Sequence, residues 1–304
     1  MEQVRSQAFF EYLNEREEVR LRKEAGLSLG FDEKRWTDDP ILAAYKFTNV
    51  NRHHDRTSNM LRELFYKEHF NDDHKSILMN CALFRYFGTW EFAEVVGWQS
   101  YEDFDFEGIK EIAAERLSER ERVFTGAYVI TNQGISAPKQ EVVVDIFLSG
   151  LHEVAESIVQ IANETQSWEL TSKAMRPVKG FGGSGFMTKE ILLDTTYTGF
   201  WKNYHEKPNE DGFTYPEDWW RWTPIGPGAL RGAARILGDD LAKPLKEDKA
   251  FSLIMALYRS QDEWIALGRN KLSPTDIQFG FCEFDKYERV RLGQGRPRSR
   301  YHAK

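Results

Sequence analysis

Apolar side chains recur at intervals of three and four residues along most of this chain. That spacing places them on one face of an α-helix, whereas a strand would alternate apolar and polar positions. After an N-terminal helix opened by Phe9 and Phe10, the pattern predicts helices over residues 41–47, 60–65, 77–84, 92–96, 108–117, 141–147, 151–162, 188–194, 229–237, 251–267 and 275–289. Most of the chain is therefore predicted to be helical.

Start and stop signals support these helices. Asp39 and Pro40 are suited to cap and open one helix, the aspartate pair at 72–73 to cap another, and Gly88 to end it. The β-branched run at 142–144 is strand-like, but it leads straight into a helical pattern and is assigned to a helix. We predict an all-α fold.

The chain is long enough for one large hydrophobic core or two moderate ones, and its apolar share of 41% is typical of globular proteins. We predict a single helical body over residues 1–304. Within it we distinguish an N-terminal helix extension at 1–35, a catalytic helical body at 36–292 and a basic tail at 293–304. The longest polar interruption, at 203–217, is predicted to be an exposed loop.

The distribution of charge indicates a candidate binding function only at the C-terminus. The net charge of −7 argues against nonspecific nucleic-acid binding by bulk charge. Residues 289–304, in contrast, carry Arg296, Arg298, Arg300, Lys304 and further arginines with no acid among them. Such a basic arm would suit a polyanion, the alternative being a solvated tail.

Several classes of protein are disfavoured by what the sequence lacks. No window approaches the roughly 18 apolar residues of a membrane span, and the N-terminus has no apolar signal-peptide core. A cytoplasmic location without membrane partners is therefore expected. Cys81 and Cys282 lie far apart, outside any metal-binding spacing, so free thiols and no structural metal are predicted.

The stretch from Lys179 to residue 191 carries the most informative motif. Gly180, Gly182 and Gly183 separate two apolar-periodic segments. A glycine hairpin there would turn successive backbone N–H groups toward an anion at the start of the next helix. The motif predicts a helix-hairpin-helix element that grips one phosphate of a DNA strand, and a glycine-rich interhelical turn is the alternative.

A second cluster follows residue 41, where an apolar helix runs into polar groups. Arg52 and Arg56 are four residues apart, so a helix would place both guanidiniums on one face, able to hold a phosphate. Asn49 lies nearby as a group that could contact a base edge. The alternative is a network of arginines with Asp55, and the adjacent histidines 53 and 54 lack a third metal ligand.

Two further clusters lie toward the C-terminus. Trp222 belongs to a tryptophan-rich segment before a Gly-Pro-Gly turn, and Arg231 follows in the first turn of the next helix, where an anionic ligand would offset its charge. Core packing by the tryptophans and an acid paired with Arg231 are the alternatives. Glu283 and Lys286 lie on the last helix, where an internal network with Tyr287 is the alternative to catalysis.

An ordered set of sequence blocks resembles one known family. The blocks are WTDDPIL at 36–42, FTNVNR at 47–52, FTGAY at 124–128, GFG at 180–182, GPGALRG at 226–232 and CEFDKY at 282–287. In this order they resemble the phage alpha-glutamyl/putrescinyl-thymine pyrophosphorylases, also called amino acid:DNA transferases. The resemblance extends from about residue 36 to residue 301.

This resemblance implies a DNA-glycosylase-like helical fold and a transferase reaction. Such an enzyme attaches an amino acid or amine to 5-hydroxymethyluracil that DNA carries as a phosphate or pyrophosphate ester, and it releases that group. Reaching the base implies flipping it out of the duplex. The product is a hypermodified thymidine, made without a redox cofactor, and whether magnesium bridges the leaving group stays open.

The resemblance also implies roles for individual residues. Asp218 is favoured as the base that deprotonates the amine because it precedes a helix downstream of the hairpin. Its distance along the chain from Gly182 is longer than the spacing usual in glycosylases. Asp194 and Glu283 are the alternatives. The phosphate or pyrophosphate ligands would be Arg52, Arg56, Arg231 and Lys286. The base or substrate pocket would contain Asn49, Tyr128 and Trp222. The DNA backbone would be contacted by Lys179, Gly180, Gly182 and Gly183. Core packing is the alternative for Tyr128.

The expected partners are DNA with modified uracil and a small amine or amino acid, in the cytoplasm of an infected bacterium. Two other functions remain open. A glycosylase or lyase would cut the modified base from DNA without prior phosphorylation. A noncatalytic helix-hairpin-helix protein would only bind DNA, and its acidic residues would be structural.

Overall fold

A computed structural model of the protein describes residues 2–27, 36–183, 185–202, 212–265 and 271–297. Regular structure in these ranges is helical and contains no strand. The helices are α1 Glu2–Glu24, α2 Pro40–Ala44, α3 Arg56–Leu61, α4 His74–Phe87, α5 Trp90–Val96, α6 Phe106–Ser118, α7 Lys139–Glu141, α8 Ser149–Thr165, α9 Trp168–Met175, α10 Phe186–Asp194, α11 Pro227–Leu237, α12 Glu247–Ser260 and α13 Pro274–Arg291. The all-α prediction is confirmed in this part of the chain.

Shorter helical segments connect these elements. Two are π-helical turns, Arg62–Tyr66 after α3 and Val142–Leu148 between α7 and α8, and three are 3₁₀ turns, Arg52–His54, Thr195–Tyr197 and Gln261–Glu263. The β-branched run at 142–144 is therefore helical, as predicted, because its side chains pack into a hydrophobic core on several sides. The predicted helix at 41–47 ends early, at Ala44, where Tyr45 is extended.

The chain divides into two compact units. Unit 1 comprises Met1–Asp55 and Ile225–Lys304, and unit 2 comprises Arg56–Pro224. The domain bounds predicted at residues 36 and 292 differ from these boundaries and stay a prediction. Arg298, Arg300 and Lys304 of the predicted basic tail, and most of the predicted loop at 203–217, lie outside the described residues.

Unit 1 is built on the packing of α11 against α13, with α1, α2 and α12 around them. Its core includes Phe9 and Phe10 from α1, both at most 1% exposed, and the ring of Phe9 meets the ring of Phe281 edge-on. A capping box starts α13, in which Ser273 and Asp276 satisfy each other's backbone N–H groups.

Unit 2 surrounds α4, which is buried almost along its whole length. The carboxylate of Asp73 caps this helix by accepting hydrogen bonds from two backbone N–H groups, and the helix ends at Gly88, as predicted. Because α8 and α10 pack against α4, nearly every side chain from Ser76 to Phe87 is buried. Polar groups on α4 therefore lie in an apolar surrounding.

No helix among the described residues is long and apolar enough to span a lipid bilayer.

Candidate functional site

The glycine motif forms the connection between α9 and α10. This connection runs from residue 176 to residue 185 and is longer than the tight hairpin predicted from the sequence. Gly180 is buried with a φ of +98°, and a Cβ atom there would lie 2.5 Å from a ring carbon of Phe147. Only glycine fits this position. The helix-hairpin-helix geometry and its grip on DNA stay predictions.

The outer part of the glycine connection faces solvent. Lys179, Gly182 and Gly183 are all exposed. Arg176, which follows α9, places its Nη2 within 2.6 Å of where a Cβ of Gly185 would lie, and its buried Nε has no hydrogen-bond partner among the described residues. Lys179 and Arg176 therefore lie close in sequence to the exposed backbone of Gly182 and Gly183, whereas Gly185, which directly precedes α10, is buried.

A buried ion pair links α4 to α10 behind this connection. The Nε of Arg85 lies 2.7 Å from Oδ2 of Asp194, and the Nη2 of Arg85 donates to Oδ1 of the same carboxylate. The Tyr66 hydroxyl donates to Asp194 Oδ2 at 3.0 Å, and Arg85 Nη2 also donates to Ser58 Oγ at 2.8 Å. Burial raises the pKa of Asp194, while the Arg85 guanidinium and the Tyr66 hydroxyl oppose that rise.

Two more charged residues complete this group. Glu190 places Oε2 3.7 Å from Nη1 of Arg85 and Oε1 3.7 Å from Nζ of Lys189. Arg85, Lys189, Glu190 and Asp194 are each at most 4% exposed, and their formal charges cancel. We call these four residues the buried charge group. Burying four ionised side chains is costly, which makes the group a candidate functional site.

A pair of partly buried aromatic rings contacts the buried charge group. The ring of Tyr128 meets the ring of Phe186 edge-on, with centroids 5.2 Å apart. The Tyr128 hydroxyl donates to the backbone carbonyl of Arg85, and Lys189 Nζ lies 5.3 Å from the centroid of Phe186. Tyr128 therefore lies beside the candidate site, although its hydroxyl is held by the protein backbone.

Each acidic residue proposed as the base already accepts hydrogen bonds. Asp194 belongs to the buried charge group. Asp218 accepts from Ser167 Oγ at 2.7 Å and from the backbone N–H groups of residues 168 and 169 at 2.7 and 3.0 Å. Glu283 accepts from the backbone N–H of Thr48 at 2.9 Å and pairs with Lys286. Their catalytic roles stay predictions.

Asp218 caps the start of α9, so its replacement should lower stability. We expect Asp218→Ala to reduce the free energy of unfolding by about 1–3 kcal/mol, because two helix N–H groups and the Ser167 hydroxyl lose a charged acceptor. Urea denaturation measures this change. Glu217→Ala, an exposed neighbour, is the control and should stay within about 0.5 kcal/mol of the parent protein.

Arg52 and Arg56 do not share a helix face, because the single helix that this arrangement required is not formed. Arg52 belongs to a 3₁₀ turn that ends at Asp55, whose backbone is extended, and Arg56 begins α3 in unit 2. The Arg52 guanidinium is buried, pairs with the Asp55 carboxylate at 2.5 Å and lies 4.0 Å from the ring centroid of Phe279. The alternative of an arginine–aspartate network therefore describes Arg52.

Asn49 takes part in an internal network of unit 1. Its Oδ1 accepts from Nη2 of Arg16 at 2.5 Å, and its Nδ2 donates to the backbone carbonyl of His54 at 2.6 Å. Arg16 is 7% exposed and also donates to the carbonyl of Phe47. Both ends of the Asn49 side chain are thus engaged with the protein, and its predicted role in a substrate pocket stays untested.

The tryptophans of unit 2 pack against each other. Trp219 stacks on Trp168 with centroids 4.8 Å apart, and Trp222 meets Trp168 edge-on at 6.3 Å. Trp219 is buried, whereas Trp222 keeps part of its surface. Core packing accounts for Trp219, and the predicted contact of Trp222 with substrate stays a prediction.

Two predicted phosphate ligands lie in unit 1. Lys286 is held by Glu283 at 2.5 Å, donates to the carbonyl of Lys46 and lies over the ring of Phe47. Arg231, by contrast, is half-exposed. It pairs with the carboxylate of Asp285, which also pairs with Arg235 and Arg289. Only Arg231 of these two keeps substantial contact with solvent.

The described residues contain no group of three or more histidine, cysteine, aspartate or glutamate side chains placed to hold a metal ion. Cys81 is buried and Cys282 is only partly buried, and neither forms a disulfide among the described residues. The expectation that the reaction needs no cofactor stays a prediction.

The described part of the chain is helical, and its candidate site is the buried charge group on α4 and α10. The chain belongs to the family described as "5-hmdU DNA kinase, helical domain", which matches residues 3–296. It is 27% identical over 280 residues to a 5-hmdU DNA kinase of Bacillus phage SP10, covering 84% of this chain but 41% of that protein. No solved structure matches.

These matches narrow the resemblance drawn from the sequence blocks. They place the chain in a family of phage 5-hydroxymethyluracil DNA modification, as the blocks implied. The family and the relative are both named after a DNA kinase, and neither match shows an amino acid:DNA transferase. The chain spans less than half of its relative's length, so the relative's reaction does not carry over with the family.

Proposed function

We propose that this chain acts on 5-hydroxymethyluracil in DNA and replaces an activated hydroxymethyl oxygen with an amine. The supporting observation is the buried charge group, which lies on α4 and α10 directly after the exposed glycine connection and beside the Tyr128–Phe186 pair. The displacement needs cations to stabilise the leaving group and a carboxylate to accept a proton from the amine. The family match supports the choice of DNA base.

The proposed displacement uses both positively and negatively charged side chains. The amine nitrogen forms a bond to the methylene carbon, the carbon–oxygen bond breaks, and its electron pair leaves with phosphate or pyrophosphate. Lys189 and Arg176 are the nearby cations that would stabilise the departing charge. The amine must lose a proton, and we assign Glu190 as its acceptor because this carboxylate lies near both Arg85 and Lys189, next to the proposed site of the leaving group.

DNA would reach this site through the surface formed by the glycine connection. The exposed backbone at Gly182 and Gly183, with Lys179 and Arg176 beside it, suits a strand phosphate at the start of α10. An unpaired base would then stack on Tyr128 and Phe186, which are only partly buried. This arrangement assigns strand binding and base recognition to neighbouring parts of unit 2.

The name of the phage SP10 relative favours a second candidate function, in which the helical chain presents 5-hydroxymethyluracil DNA for phosphorylation. The sequence contains no glycine–lysine loop of the pattern GxxxxGK[ST], with which many kinases hold the phosphates of ATP. Under this candidate, the phosphate donor would be bound by parts that correspond to the rest of that relative.

One experiment separates these functions. DNA containing 5-hydroxymethyluracil, its phosphate ester or its pyrophosphate ester is incubated with the protein and either ATP or a panel of amines and amino acids, then digested to nucleosides for mass spectrometry. Amine adducts from the esterified DNA support the transferase. Preferential binding of 5-hydroxymethyluracil DNA without any new nucleoside supports the presenting role, and abasic sites indicate a glycosylase. An unchanged nucleoside profile, with no preference for modified DNA in binding, would overturn the proposal.

Glu190→Gln should slow adduct formation by a factor of about 10²–10⁴, because the amide keeps the shape of the side chain but accepts no proton. Affinity for DNA should stay at the parent value. Glu217→Gln, an exposed change in the same unit, is the matched control and should leave the rate unchanged. Parent-like turnover by Glu190→Gln would remove Glu190 from the mechanism.

A further inference from the structure

Three arginines converge on one buried carboxylate in unit 1. The Nε atoms of Arg231 and Arg235 lie 3.0 and 2.7 Å from the two oxygens of Asp285, and the Nε of Arg289 lies 3.3 Å from Oδ2. The Asp285 side chain is 1% exposed, whereas those of Arg231 and Arg289 are 49% and 40% exposed. We call these four residues the arginine cluster.

Close packing of α11 and α13 builds this cluster. A Cβ atom at Gly232 would lie 2.1 Å from the backbone oxygen of Phe281, so the two helix backbones touch where glycine stands. Arg231 and Arg235 lie one turn apart on α11, and Arg289 follows Asp285 by one turn on α13. The geometry of all three guanidiniums therefore follows from two rigid helices and one buried anchor.

The cluster keeps an excess of positive charge. One carboxylate faces three guanidiniums, and Arg235 uses its Nη2 to donate to Gln294 Oε1 at 2.9 Å. Among the residues that the structure describes, Asp285 is the only acidic partner found for Arg231 and for Arg289. Arg231 donates its Nε to Asp285, Arg289 pairs with the same carboxylate without a hydrogen bond, and 49% and 40% of their side-chain surfaces stay exposed. Two preoriented forks of donors match the oxygens of a phosphate group.

We infer that the arginine cluster binds a phosphate group through Arg231 and Arg289, with Asp285 and Arg235 holding the two guanidiniums in place. The phosphate can belong to the DNA strand or to a free or base-linked phosphate or pyrophosphate. Only the relevance of DNA rests on the proposed function. Phosphate binding itself is testable without any modified base or amine.

The test measures two probes against the whole protein. Inorganic pyrophosphate is titrated by calorimetry, and an unmodified thymine-containing duplex is titrated by fluorescence anisotropy at several salt concentrations. The variants are Arg231→Gln, Arg289→Gln and the double change, and Arg259→Gln, an exposed arginine on α12, is the control. Melting curves verify that each variant is folded.

The double variant should lose at least about tenfold in affinity for one probe, while Arg259→Gln keeps the parent affinity. If the DNA strand is the source, duplex binding weakens and the slope of log K against log salt falls in magnitude by about 1, since roughly one counterion is released for each phosphate that the protein neutralises. If a free or base-linked phosphate is the source, pyrophosphate binding weakens alone. Unchanged affinity for both probes would overturn the inference.

A measurement on the parent protein covers the case in which a variant does not fold. Phenylglyoxal modifies accessible guanidiniums, and peptide mass spectrometry locates the modified sites. Pyrophosphate or duplex DNA should protect Arg231 and Arg289 at least about threefold relative to Arg259. Equal modification with and without both probes would also count against the site.

Discussion

Arg85→Met should reduce the free energy of unfolding by about 3–5 kcal/mol, the largest loss that we expect from a single change in this protein. The substitution keeps an apolar stem but leaves Asp194, which is fully buried, without the guanidinium that contacts both of its oxygens. Glu190 loses its contact with the same guanidinium. Urea denaturation followed by tryptophan fluorescence measures the effect.

Two further variants test whether the loss of stability comes from the buried ion pair. Lys173→Met breaks a surface pair in which the lysine and Glu169 are 59% and 38% exposed, so it should cost no more than about 0.5 kcal/mol. Adding Asp194→Leu to Arg85→Met should recover part of the lost stability, because the uncompensated charge is removed with its partner. A loss below about 1 kcal/mol for Arg85→Met would mean that water reaches the pair and that the group is not buried in solution.

Local patterns were sufficient to predict most helices. The apolar spacing and the Asp73 and Gly88 signals placed α4 correctly, because both the cap and the stop act within a few residues of the helix end. Arg52 and Arg56 would share a face only if one helix ran through both residues, and that condition is not met. Asn51 caps a 3₁₀ turn there, and the chain leaves this turn at Asp55 in an extended conformation.

Prediction of the site was limited by distance along the chain. The glycine connection and Asp194 were found from the sequence, but Arg85 was hidden inside the apolar pattern of α4, 109 residues away from its partner. One signal was present: Glu190 and Asp194 lie four residues apart on a nine-residue helix whose only cation is Lys189. Two like charges at that spacing repel each other unless a cation offsets them, so the pair was an unused signal for a further basic partner on another element.

The arginine cluster escaped prediction for a related reason. Arg231 was singled out because a cation in the first turn of a helix needs an anion, and Asp285 is that anion. The convergence of Arg235 and Arg289 on the same carboxylate depends on the distance between two helix axes, which sequence spacing does not reveal. That distance is set by Gly232, and the position can be tested directly.

Gly232→Ala should destabilise unit 1 by about 1–3 kcal/mol, although alanine favours helices by about 1 kcal/mol over glycine. The added methyl group would lie 2.1 Å from the backbone oxygen and 2.6 Å from the backbone carbon of Phe281. Neither atom can move without shifting α13, so the steric cost exceeds the gain in helix propensity. Thermal melting measures the change.

Gly150→Ala is the matched control, because Gly150 lies in α8 and a Cβ there would meet only a Val178 methyl group at 3.4 Å, an ordinary contact. It should leave stability unchanged or raise it by up to about 1 kcal/mol. Separating α11 from α13 would also pull Arg231 away from Asp285, so Gly232→Ala should weaken pyrophosphate or duplex binding even at temperatures where the variant stays folded. Parent-like melting together with parent-like phosphate binding would show that the helices tolerate a wider spacing and that glycine is not what builds the cluster.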